Sequence, residues 1–95
     1  MIYFAEAIGL NLIKIGYTEN SENRIKQLNT DSPVKIKLIK SIKGSKLEES
    51  FLHNKFKNLS IKGEWFQLTD ELIEFISEIE ELSYFNIDEE GVITS

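Results

Sequence analysis

Two short runs rich in β-branched and aromatic residues, Ile2–Ala7 and Leu12–Thr18, are separated by Gly9-Leu10-Asn11, whose residues tolerate the backbone of a tight turn; this pattern predicts a β-hairpin. Glu19-Asn20-Ser21 then offers capping side chains ahead of Ile25 and Leu28, and their i, i+3 spacing predicts a short helix that ends near Asn29–Asp31. Pro33 opens a strand in which apolar residues and lysines alternate from Val34 to Lys43, so that one face is core and the other basic. A slip in that alternation at Leu38-Ile39 marks a possible bulge. Gly44 closes the strand, and Ser45-Lys46-Leu47-Glu48 fits a capping box for a helix carrying Leu47, Phe51, Leu52, Phe56 and Leu59. Residues 61–66 read as a turn followed by Trp65 and Phe66. From Thr69 or Asp70 a second helix runs through Leu72, Ile73, Phe75, Ile76, Ile79 and Leu82, with glutamates on its other face. The order ββαβαα predicts an α+β fold, a small three-stranded, mostly antiparallel sheet flanked by helices. The domain would occupy residues 1–82. Residues 83–95 would be an acidic tail that either forms a small hairpin or frays.

Charge divides the chain unevenly. All 11 basic residues fall between Lys14 and Lys62, and residues 1–62 carry a net charge of +5, whereas residues 63–95 hold 10 acids and no base. The overall charge of −5 therefore describes neither part: a basic body suited to a polyanion adjoins an acidic helix and tail suited to a protein partner or a second copy. The chain has no cysteine, which excludes a disulfide framework, a thiolate zinc site and a cysteine nucleophile. No apolar run reaches the about 18–20 residues of a membrane span, and Met1–Glu6 lacks the basic segment of a signal peptide. The expectation is a soluble cytoplasmic protein that does not engage a membrane.

Few residues offer chemistry. His53, the only histidine, lies four residues after Glu49, so on a helix both project from one side and can share a ligand or a proton. Arg24 is the only arginine, and its planar fork suits phosphate or carboxylate oxygens. No phosphate loop, Ser-His-Asp order, EF-hand loop or dinucleotide fingerprint is present.

Five segments in order, Ile2-Tyr3-Phe4, Lys14-Ile15-Gly16-Tyr17-Thr18, Arg24, Glu49-Ser50-Phe51-Leu52-His53 and Gly63-Glu64-Trp65-Phe66, resemble the GIY-YIG nuclease superfamily. They look most like its short branch, common in phage and plasmid genomes, whose members read I-Y-F, I-K-I-G-x-S/T, R, E-x-x-L-H-x-x-F and G-E-W-F. The resemblance spans about residues 1–77. It implies a metal-dependent endonuclease that hydrolyses DNA phosphodiester bonds, with Mg²⁺ or Mn²⁺ as cofactor.

Carried onto this chain, the resemblance makes Tyr3 the acceptor of a proton from water, with Lys14 as the cation that lowers its phenol pKa from ~10. Arg24 would hold the phosphate and Glu49 the metal ion, with His53 beside it as a supporting or proton-transfer group. The chain departs from the superfamily where Lys14 replaces a tyrosine and Leu28 a histidine, and Asn54 and Asn58 are the only stand-ins for a late asparagine. Strand alternation places Tyr17 on the opposite face from Lys14 and Gly16. Glu48, amid the apolar positions, belongs to the cap and leaves Glu49 to the site. Gly16 is expected to allow close approach of another group, Thr18 to hydrogen-bond at the strand end, and Trp65 and Phe66 to cover the core. The alternative function is a nuclease-like module that has lost turnover and binds nucleic acid or protein.

Overall fold

In the computed structural model, which describes residues 1–79, β1 (Ile2–Ala7) and β2 (Leu12–Tyr17) form the expected antiparallel hairpin. Its turn uses left-handed backbone at Gly9 (φ +88°) and at Asn11 (φ +56°), one of the residue types that tolerates that region without a glycine. The hairpin is followed by α1 (Ser21–Asp31), β3 (Ile36–Ile42), α2 (Lys46–Lys55), a 3₁₀ turn at Lys57–Leu59, β4 (Ser60–Lys62), β5 (Trp65–Gln67) and α3 (Asp70–Glu78). The α+β class holds. The sheet has five strands, in the order β3-β1-β2-β5-β4, rather than the three expected, and each neighbouring pair is antiparallel. The two extra strands form a hairpin about Gly63 (φ +58°) where a turn followed by aromatics was predicted. Each is only three residues long, too short to display a period of two.

Both faces of the sheet are covered. Ile2, Phe4, Ile13, Ile15, Ile42 and Phe66 pack with Leu52 of α2, with Phe56 at its C-cap, and with Leu72 and Ile76 of α3. On the other face Tyr3, Ala5, Ala7 and Ile36 pack with Ile25 and Leu28 of α1, flanked by Leu12 and Trp65. Interior β1 therefore reads as a nearly unbroken apolar run, as a strand buried on two sides must.

The slip at Leu38-Ile39 is a bulge, since Ala5 pairs with Leu38 while Phe4 pairs with Lys40, and Ile39 is the inserted residue. The inserted residue reverses the facing of β3: Ile36 and Leu38 join the α1 side, and Ile42 joins the α2 and α3 side. The strand thus has no single basic face, contrary to its lysine alternation. Lys40 turns toward the end of α3, where Nζ donates to the carbonyls of Ile76 (3.0 Å) and Ser77 (3.4 Å) and satisfies acceptors that the helix leaves open.

The helix starts follow their capping residues. Asn20 Oδ1 accepts from Asn23 N at 3.1 Å, Thr69 Oγ1 accepts from Leu72 N at 3.2 Å, and Ser45 with Glu48 forms the predicted capping box. Leu47, expected in the apolar stripe of α2, is 61% exposed because it lies in the first turn, before the helix reaches the core. The last helix, expected to run on through Ile79 to Leu82, ends at Glu78: Ile79 is an extended C-cap, and Lys40 takes the Ile76 and Ser77 carbonyls there. The boundary at residue 82 and the tail at 83–95 lie outside the described residues.

Candidate functional site

Tyr3 is fully buried and lies opposite Gly16 in the β1–β2 ladder. Its ring lies directly over that glycine: a Cβ on residue 16 would come within 2.5 Å of the phenol oxygen and 2.6 Å of Cζ. Glycine is needed here for space, as expected. The cap at Asn20 starts α1 so that Arg24, one turn in, bonds back to Asn20 O (3.1 Å) and extends its guanidinium to the phenol. Arg24 Nε donates to Tyr3 Oη at 3.4 Å, and Nη1 donates to Gln27 Oε1 at 3.5 Å. Burial raises the phenol pKa above its ordinary value, with Glu64 and Glu49 adding to the rise, and Arg24 opposes it.

The ladder between β2 and β5 ends at Lys14 opposite Trp65, leaving the last residues of β2 to find other partners. Ile15 N donates to Glu64 O at 3.0 Å. The carbonyl of Ile15 meets His53 Nε2 at 2.7 Å, and the backbone N–H of Tyr17 faces the Glu49 carboxylate closely enough to lower its pKa. Side chains of α2 thereby line the edge of β2. A carbonyl can only accept, so Nε2 of His53 carries the proton and, in the neutral ring, Nδ1 keeps the lone pair. The His53 ring also packs edge-on against Phe66, with centroids 5.1 Å apart.

Glu49, His53 and Glu64 converge at this edge, and one potential ligand atom from each lies within 4.8 Å of the other two. All three are half-buried. Burial and the Glu64 charge raise the Glu49 pKa, against the lowering influence of His53, the Tyr17 N–H and Lys46. Lys14 Nζ forms an ion pair with Glu64 Oε2 at 3.1 Å and sits 5.3 Å from the centre of the Trp65 ring. Two carboxylates and an imidazole with an available lone pair are donors that divalent cations accept.

Of the expected site residues, Tyr3 and Arg24 touch each other, Glu49 and His53 stand together on α2, and Lys14 joins them through Glu64. The cation on the phenol is Arg24, whereas Lys14 is engaged by Glu64; the sequence could not separate these because it does not show which carboxylate a lysine meets. Glu48 is buried in the cap and Glu49 faces the site, as the helical positions implied. Tyr17 lies on the other sheet face, paired with Ile2, and the Lys46 ammonium lies 5.9 Å from its ring centre. Leu28 packs in the α1 core, and Asn54 and Asn58 are exposed. Thr18 Oγ1 accepts from Asn20 N at 3.2 Å and shapes the entry to α1. Phe66 is buried in the core, while Trp65 is half-buried beneath Lys14.

Glu64 is the site residue that sequence reasoning missed. Its place in the Gly63-Glu64-Trp65-Phe66 segment was visible, yet only the short hairpin, once recognised, carries it to the edge of β2.

Among the described residues no helix is long and apolar enough to cross a membrane. Comparison with curated proteins and with solved structures found no match. The T5orf172 domain model matches residues 1–82, and the chain belongs to that family.

Proposed function

We propose that this protein is a divalent-cation-dependent endonuclease that hydrolyses phosphodiester bonds in DNA. The observation that carries the proposal is the meeting of the Tyr3–Arg24 pair with the Glu49, His53 and Glu64 donors around the end of β2. Membership in the T5orf172 domain family supports a nuclease or DNA-binding role. The donor set fits Mg²⁺ or Mn²⁺: crowded carboxylates, one with a raised pKa, gain from a cation placed between them. When bound, the cation supplies Lewis-acid polarisation of a phosphoryl oxygen.

The protein's own groups divide the remaining work. Glu49 holds the cation. Arg24 presents its guanidinium to a phosphate oxygen and offsets charge developing in the transition state. Tyr3 accepts the proton of the attacking water; its pKa must fall for this, and Arg24 is the adjacent group that lowers it. His53, anchored on the Ile15 carbonyl, keeps α2 against the edge of β2. Exposed lysines at 35, 37, 43, 46, 55, 57 and 62 can meet the backbone of the duplex without reading its sequence. A body of net charge +5 neutralises few phosphates, so binding should weaken steeply with salt.

The Lys14–Glu64 ion pair favours a second reading, in which Lys14 stands in for the cation and the module binds DNA without cutting it. Nicking of supercoiled plasmid in Mg²⁺ or Mn²⁺, abolished by chelator, supports the endonuclease; salt-sensitive DNA binding without nicking supports the binding module.

A further inference from the structure

We infer that Glu64 is a second carboxylate ligand of the cation held by Glu49, and that His53 Nδ1 completes a three-donor site that takes Mn²⁺ in preference to Mg²⁺. This rests on the cation-dependent reading above and deepens it, assigning the donor atoms and the preferred ion.

The three donors come from two separate parts of the fold. Glu49 and His53 sit one turn apart on α2, and Glu64 is carried in by the turn of the β4–β5 hairpin. His53 and Glu64 are each tied in place by an interaction that leaves a donor atom over. His53 is fixed through Nε2 on Ile15 O, which leaves Nδ1 as the ring's lone-pair nitrogen. Glu64 is held by Lys14 through Oε2, which leaves Oε1, and its own backbone carbonyl is bonded to Ile15 N. Such anchoring of first ligands by second partners is how proteins orient metal donors.

The spacing is compatible with one ion. Donors on a single octahedral cation at about 2.1 Å are about 3.0 Å apart when adjacent and about 4.2 Å when opposite. One ligand atom from each residue already lies within 4.8 Å of the other two, and small side-chain torsions, for which Glu64 with its side chain 35% exposed has room, would bring His53 Nδ1 and Glu64 Oε1 onto one ion. Mg²⁺ favours oxygen donors and retains its water, whereas Mn²⁺ follows the transition metals in accepting an imidazole beside carboxylates. The nitrogen of His53 is therefore the group that should separate the two ions.

The test is Mn²⁺ binding measured by calorimetry and by the electron paramagnetic resonance of free Mn²⁺, with no DNA present, on the full chain and on Glu49→Gln, Glu64→Gln and His53→Gln. Circular dichroism establishes that each is folded. The inference expects one Mn²⁺ site in the wild type that weakens at least tenfold in both glutamate variants, and a preference over Mg²⁺ that shrinks in His53→Gln. Independently of any substitution, Mn²⁺ should broaden the side-chain carboxylate resonances of Glu49 and Glu64 and the His53 ring at substoichiometric metal. Wild-type binding that Glu49→Gln removes and Glu64→Gln leaves unchanged, with Glu64 unbroadened, would overturn the role of Glu64 while leaving the endonuclease proposal standing. No Mn²⁺ binding by the folded wild type at millimolar metal would overturn both.

Discussion

Adding one methyl group at Gly16 should unseat the Tyr3 ring. An alanine Cβ at this position would lie 2.5 Å from the phenol oxygen, 2.6 Å from Cζ and 2.7 Å from Cε1, so three ring-end atoms fall inside the contact limit together. Tyr3 is fully buried on interior strand β1, with α1 over it, and has little room to retreat. Gly16 does not use the left-handed backbone of Gly9 and Gly63, so the penalty is one of contact rather than dihedral strain. Overpacking of this kind costs about 1–3 kcal/mol. In a domain of this size each kcal/mol lowers Tm by about 4–8 °C. Urea unfolding, followed by the fluorescence of Trp65, the only tryptophan, measures the change near the perturbed core.

A double-mutant cycle with Tyr3→Val isolates the cause. With the ring end removed, Gly16→Ala should be close to neutral, because the new methyl enters space the ring has left and alanine suits a strand better than glycine. The coupling between the two positions should be at least about 1 kcal/mol. An equal cost of Gly16→Ala in both backgrounds, or no cost in either, would refute the packing of Tyr3 on Gly16.

Three further predictions follow from the same structure. Because burial outweighs Arg24 and raises the Tyr3 pKa, its stabilising contribution is complete below the unfolded value of about 10 and is lost as pH rises through the native value; the 295 nm titration of wild type minus Tyr3→Phe should show a transition above about 10, and one below it would contradict the burial. Ser45→Ala removes the side chain that accepts from Leu47 N at 3.2 Å and should cost about 1 kcal/mol in urea unfolding, a value near zero showing the cap to be dispensable. Deleting Ile39, the inserted residue, leaves Leu38 opposite Ala5 and Lys40 opposite Phe4 in regular alternation, so Ile36 and Leu38 keep one face and Ile42 the other; urea unfolding should change by no more than about 1 kcal/mol, and a loss of about 2 kcal/mol or more would contradict the bulged register.

Local chemistry made much of this architecture legible. Asn20, Ser45 and Thr69 announce helix starts because capping satisfies backbone donors within a few residues, and Gly9 and Asn11 announce a turn for an equally local reason. The Leu38-Ile39 slip revealed the bulge because an inserted residue interrupts a period of two. Long-range pairing was harder to read. Lys40 looks like a solvent lysine in its strand, and only the docking of α3 turns it toward helix carbonyls. The β4–β5 hairpin was hidden by the brevity of its strands, and with it went Glu64, whose chemistry depends on being delivered to the edge of β2. Lys14 was assigned to the wrong neighbour for the same reason: the Lys14–Glu64 pair joins residues 50 apart, and no local pattern encodes it.

Cleavage of supercoiled plasmid by the wild type and by Glu49→Ala, in Mg²⁺, Mn²⁺ or chelator, with circular dichroism of both proteins, tests the proposed endonuclease most directly. The account predicts nicked product that requires the cation and disappears in a folded Glu49→Ala protein. Nicking that survives in chelator or in Glu49→Ala, or a folded wild type that cuts nothing in either metal, would contradict it.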